Sequence, residues 1–245
     1  MASAIRVNFI VEVQTEETFV TRILSESLAE SGVYVNGARC VETGRKRLRR
    51  TNITKPGKQK IIFRGGMPSF DKIKRDIEWW LAEDSKAYLI TMFDLYALSR
   101  DFPRYDSAFN EKDPYKKIEI IECALKKEIS NPRFIPYIQL HEFEGLLFSN
   151  VDVIDNVLKP YNDYSRLQDL MRIRDQFNTP EEINDGYQTA PSKRIIRLFK
   201  SYQKVTDAYQ IAQKIGIDVI RKECPHFNEW IGKLIQLAIY GQNRA

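Results

Sequence analysis

Ile5-Arg6-Val7-Asn8-Phe9-Ile10-Val11-Glu12 is the stretch that decides the fold. A nearly uninterrupted apolar run, β-branched and aromatic in content and of strand length, ends abruptly in an acid. The pattern recurs twice. Ala87 to Phe93 runs into Asp94, and Phe134 to Leu140 runs into His141 and Glu142, with Glu144 just beyond. Each run predicts a buried strand. In open α/β sheets the functional site lies outside the carboxyl ends of the strands. Three such strands would therefore deliver Glu12, Asp94, Glu142 and Glu144 to one edge.

The segments between these strands read as helices and turns. Thr15 is a candidate cap for a helix carrying Glu16 and Glu17 in its first turn, where the helix dipole favours acids. Phe19, Ile23, Leu24 and Leu28 give that helix an apolar face, and Gly32 marks its end. Val33 to Val41 predicts a second strand, interrupted at Asn36-Gly37, and Ile61 to Phe63 a short one. Phe70, Ile73, Ile77, Trp80 and Leu81 predict a helix opened by Pro68-Ser69. Leu95 to Pro114, polar and with two prolines, reads as a loop or lid. Tyr115 to Ile129 is an amphipathic helix, broken by Asn131-Pro132. Beyond Val151 the segments Val151 to Leu158, Tyr164 to Phe177, Ser192 to Gln203 and Ala208 to Leu237 read as mostly helical. The expectation is an α/β protein with a parallel-rich sheet flanked by helices. Residues 1–150 would form the α/β core and residues 151–245 a helical extension packed on it.

Composition narrows the function. The chain has 245 residues, 43% of them hydrophobic, enough for one ordinary core with an appendage. No apolar run approaches the roughly 20 residues that span a bilayer, and the N-terminus lacks the charged region of a signal peptide. The expectation is a cytoplasmic protein with no membrane partner. Three scattered cysteines and two histidines argue against a disulfide framework or a zinc site. Any metal would rest on carboxylates. There is no glycine-rich phosphate loop after a strand and no GxSxG elbow.

Clustered carboxylates repel one another unless a cation or shared protons neutralise them. The simplest resolution is one or two Mg²⁺ or Mn²⁺ ions, which prefer oxygen ligands. Glu12, Asp94, Glu142 and Glu144 are the candidate ligands. Glu16, one helical turn beyond Glu12, is a further ligand or an ordinary first-turn acid. His141 is a candidate general base or a structural hydrogen-bonding residue. The net charge of +5 is unevenly spread. From Thr43 to Arg64 there is no acid, while Arg45, Lys46, Arg47, Arg49, Arg50, Lys58 and Lys60 crowd the same stretch. Such a stretch is either a solvated loop or a surface for nucleic-acid phosphates, giving salt-sensitive and largely sequence-independent binding. Lys193 and Arg194, just after the helix-starting Pro191-Ser192, are candidates to place a cation near a phosphate.

The segment VEVQTEE from Val11 to Glu17 resembles the first motif of Toprim-like proteins, in particular a small stand-alone family first catalogued as a domain of unknown function. The similarity continues through MFDLYAL around Asp94, LHEFEGLLFSN from Leu140 to Asn150, and PEEINDGYQTAPSKRI from Pro180 to Ile195. It extends to the Toprim nuclease subunits of PARIS-type anti-phage defence systems, related to the overcoming-lysogenisation-defect (OLD) nucleases. The resemblance implies a Toprim core and a Mg²⁺-dependent nuclease that hydrolyses phosphodiester bonds in DNA or RNA, tRNA included. Glu12 would take the first-strand role and Asp94 the first position of the later acidic motif. Glu142 would join them in catalysis, and Lys193 would be the basic residue near the site. The resemblance also implies an ATPase partner of the ABC or OLD type, and often a homodimer. Two departures stand out. Val13 follows Glu12 where glycine is common, and Leu95-Tyr96 follow Asp94 where a second aspartate is usual. The second departure leaves open a catalytically inactive subunit that binds an ATPase or nucleic acid as a regulator.

Overall fold

A computed structural model describes residues 4–41, 67–162, 164–184, 186 and 188–242. Among the described residues five strands form a sheet: β1 (Ile5–Val11), β2 (Val33–Cys40), β3 (Tyr88–Asp94), β4 (Phe134–Ile135) and β5 (Ile138–Gln139). The order is β2-β1-β3-β4, with β5 also paired to β3, and every pairing is parallel. The helices are α1 (Gln14–Phe19), α2 (Ser25–Glu30), α3 (Phe70–Glu83), α4 (Tyr105–Phe109), α5 (Pro114–Ile129), α6 (Val151–Leu158), α7 (Leu167–Arg174), α8 (Pro191–Leu198), α9 (Lys204–Ile215), α10 (Ile217–Glu223) and α11 (Pro225–Gln242). The expected parallel sheet flanked by helices is therefore the observed one. Among the described residues no helix is long and apolar enough to cross a membrane.

Strand alternation sorts the side chains onto two faces. Val7, Phe9 and Val11 of β1 join Ile90 and Met92 of β3 in one apolar cluster with residues of α1, α2, α6, α9, α10 and α11. Ile10, Leu89 and Phe93 point the other way and meet α3 and α5. Trp230 of α11 is nearly enclosed, stacked on Tyr137 with ring centroids 4.0 Å apart. Arg133 ties the sheet to α3. Its guanidinium donates to the carbonyls of Leu81, Asp84 and Ala87 at 2.7–2.8 Å.

The structure corrects or refines the sequence expectation in several places: Val13, not Thr15, is the cap residue of α1, and the expected 208–237 segment is α9, α10 and α11, divided at Gly216 and Cys224. The helix after β1 is continuous but passes through a π-helical turn at Val20–Leu24. The Asn36-Gly37 interruption is a bulge: Val7 faces Val35 while Asn8 faces Gly37, and Asn36 donates its side-chain amide to Asn8 Oδ1 at 3.2 Å. The expected strand from Phe134 to Leu140 is two short strands, because Pro136 supplies no backbone N–H to the ladder. Thr91 Oγ1 bridges the gap, accepting from Tyr137 N at 2.9 Å. Finally, Leu95 to Pro114 is not an open loop. It contains a 3₁₀ turn and α4, and Leu95, Leu98, Phe102 and Ala108 are buried. Apolar residues spaced through a polar stretch anchor it to the core. The expected Ile61 to Phe63 strand lies outside the described residues.

Candidate metal centre

Glu12 follows the last residue of β1 and Asp94 is the last residue of β3. The two strands are neighbours, with Val11 opposite Met92, so the acids stand side by side at the carboxyl edge. β5 brings the next pair, since Gln139 faces Asp94. The chain then turns at His141, whose φ of 67° is left-handed. Glu142 is extended, and Glu144 lies in a 3₁₀ helix, Phe143–Ser149, rather than on a continuing strand. Asp94 Oδ1 accepts from Phe143 N at 3.0 Å and so holds this segment against β3.

Each carboxylate has a separate local restraint. Glu16 Oε2 accepts from Val13 N at 3.1 Å, the reach-back half of a capping box. Glu142 Oε2 accepts from Ser192 N at 3.1 Å, in the first turn of α8. Glu144 Oε1 pairs with Lys204 Nζ at 3.0 Å. Among the described residues no group of three or more His, Cys, Asp or Glu side chains forms a ready-made metal cage. The acids converge on one edge with their oxygens turned to different partners.

Their proximity shows in their protonation. Loss of water raises the Glu12 carboxyl to about 7; the Asp94 amide and Lys204 pull it down, and Glu142 and Glu144 push it further up. Burial, then the Glu12 charge, raises Glu16 to about 8. Asp94 is held well above the ordinary aspartate range by burial and by Glu12, Glu16, Glu144 and Glu142. Burial also raises Glu144, against Lys204. Dehydration alone would lower Lys204, but Glu144 and Glu142 together outweigh it and keep the ammonium above the usual lysine value. Glu12, Glu16, Asp94, Glu142 and Glu144 are thus one electrostatic unit. All are carboxylates, the donor type that suits a hard cation.

Unsatisfied atoms concentrate here as well. Buried side-chain oxygens without a hydrogen-bond partner include three of this region among the described residues: Glu12 Oε2, Ser192 Oγ and Tyr202 Oη. Tyr202 senses Glu144, Asp207, Glu142 and Glu16 and, mainly through burial, has its hydroxyl pushed far up. Glu12 Oε2 is thus an orphaned carboxylate oxygen among neighbouring carboxylates, the donor type a divalent cation would take.

The remaining candidates are placed as follows. His141 stacks on Tyr96 with centroids 5.2 Å apart, and its Nδ1 lies 3.5 Å from Asn184 Nδ2. Lys193 follows Ser192 in the first turn of α8. Arg194 donates to the Thr189 carbonyl and lies over the Phe177 ring, which engages it in holding that loop. Arg45, Lys46, Arg47, Arg49, Arg50, Lys58 and Lys60 lie outside the described residues. Sequence reasoning missed Lys204 and Tyr202. One signal was available for Lys204: it is a cation in the first turn of a helix, where the dipole favours acids.

No curated protein matches the chain. Two solved structures of the C-terminal region of the Xanthomonas campestris pv. campestris OLD protein, phased with platinum and with iodine, are similar to it at 13% identity and a TM-score of 0.41. The alignments cover 93% and 92% of this chain and 94% and 95% of theirs. Residues 11–235 match a family profile that spans the whole acid edge, and the chain belongs to that family, described as a domain of unknown function, DUF4276.

Proposed function

We propose that the protein is a metal-dependent nuclease acting through the acid edge. The observation that carries this reading is the convergence of Glu12, Glu16, Asp94, Glu142 and Glu144 at the ends of adjacent parallel strands, with buried oxygens left without partners. Glu12, Asp94 and Glu142, joined by Glu16 and Glu144, would hold Mg²⁺ or Mn²⁺. Bound there, the cation would supply a nucleophilic water and offset charge on the attacked phosphate. The protein's own residues do the rest. The Phe143 amide keeps Asp94 in place, and the Ser192 amide keeps Glu142 in place. Lys193, beside Ser192, would face the phosphate. The basic stretch around Arg45 to Arg50 would track the nucleic-acid backbone. The Toprim resemblance supports assigning the protein to a PARIS-type defence system, with an ATPase of the ABC or OLD type as partner and the cytoplasm as its place of action.

One observation favours a second reading. The carboxylates are restrained separately and not gathered round one point, and no second acid follows Asp94. A non-catalytic, partner-binding subunit would tolerate both.

The deciding experiment incubates the purified protein with labelled tRNA, single-stranded DNA and plasmid, with Mg²⁺ or Mn²⁺ against EDTA. Cleavage should require metal and fall by at least roughly 100-fold in Glu12→Gln and Asp94→Asn, the scale at which loss of metal-site support is felt. Cleavage that persists unchanged in both variants would remove this edge from the chemistry. If wild type is silent alone and with its ATPase partner, the regulatory reading stands.

A further inference from the structure

Lys204 is the first residue of α9, and α9 is fixed by Ala208, Ile211 and Ala212, which are buried in the same core cluster as Phe19 and Leu147. That packing drives a cation into the carboxylate edge. The Glu144 side chain is almost fully enclosed, at 3% exposure, whereas 46% of the Lys204 side chain reaches solvent. The lysine has somewhere to go and the glutamate has not. The helix gains nothing from a cation at this end, since its dipole disfavours one there. The position is explained by the acids.

We propose that Lys204 is a built-in counter-cation of the acid edge, holding Glu144 while the edge is empty and leaving it when a divalent cation enters. The inference rests on the metal-site reading above. It accounts for two observations at once. The carboxylates are held apart although they crowd one edge, and Glu144, enclosed among them, has its Oε1 held by an ammonium at 3.0 Å. Ion exchange of this kind couples metal affinity to the side chain displaced. Removing the lysine charge removes a competitor for Glu144.

The test uses the full chain and Mn²⁺ alone, followed by calorimetric titration and thermal melting at pH 8. Lys204→Met, which keeps most of the stem, should melt lower than wild type without metal. It should bind Mn²⁺ about fivefold or more tightly, within the usual range of coupling between two occupants. Lys204→Arg should restore wild-type affinity. A second measurement needs no variant: acylation of Lys204 in the wild type, read by mass spectrometry, should accelerate when Mn²⁺ is added, while that of Lys233 should not. If wild type binds Mn²⁺ but Lys204→Met binds equally or more weakly, and Lys204 acylation is unchanged, the counter-cation role is overturned and the metal site stands. If wild type binds no Mn²⁺, both fall.

Discussion

Replacing Glu12 by glutamine isolates the electrostatic cost of the acid edge. In the metal-free folded protein the Glu12 carboxyl titrates at about 7, against 4.5 for an ordinary glutamate, with burial as the leading cause. The folded state therefore keeps a proton that the unfolded chain has already released. Its stabilising contribution is complete below pH 4.5 and is lost as pH rises toward and through 7. Between pH 5 and pH 8 that single group destabilises the protein by about 2.5 kcal/mol. For a chain of this length, about 2–4 °C per kcal/mol converts this to a fall in Tm of roughly 5–10 °C. Glutamine retains an acceptor for the Asp94 amide but never ionises. Its pH dependence should be shallower by at least that amount, because the Glu12 charge is also the main charge pushing Glu16 and Asp94 upward. The assay is thermal melting in EDTA from pH 5 to pH 9. Wild type and Glu12→Gln curves falling in parallel between pH 5 and pH 8 would refute the placement of Glu12 in a dehydrated acid cluster.

Three further predictions concern the frame that holds the edge. Trp230→Ala empties the space stacked against Tyr137 and should cost about 3–5 kcal/mol in urea unfolding, with loss of near-ultraviolet dichroism. Glu181 is wholly buried and accepts from the backbone amides of His226 and Phe227 at 3.0 and 2.9 Å, capping the start of α11. Glu181→Ala strands both donors and should destabilise by about 1–3 kcal/mol, visible as faster amide exchange at 226 and 227. Arg133→Met removes three bonds to carbonyls around the entry to β3 and should cost roughly 1.5–3 kcal/mol by urea unfolding.

What could be read in the sequence was local. The runs ending at Glu12 and Asp94 are strands because β-branched and aromatic residues alternate onto two covered faces, and that signal is complete within each run. The apolar period of residues 115–129 likewise announces α5, which the structure shows capped by Asp113, whose side chain accepts from the amides of Tyr115 and Lys116. The split at Pro136 was present in the letters but outweighed by its apolar neighbours. The Leu95 to Pro114 segment was misread because its buried residues are spaced too irregularly to show a period. Strand ends alone suggested one edge for Glu142, Glu144 and Glu12, but the route by which the first two arrive, the β3–β5 pairing and a left-handed turn at His141, has no short-range signature. Lys204 and Tyr202 reach the edge through the packing of α9, a property of the assembled core.

The ion pair between Glu144 and Lys204 also orders events in time. A ribosome makes the chain from one end, and every acid of the edge is polymerised before the cation that faces Glu144 or the Ser192 amide that holds Glu142. At about 5–20 residues per second, the roughly sixty residues between Glu144 and Lys204 take several seconds to emerge. During that interval the nascent sheet carries its negative charges without the groups that balance them. It can close its edge by keeping protons, by taking up a cation or by staying loose. The assembled edge, with both of its balancing groups, is thus among the last parts of the molecule to be completed.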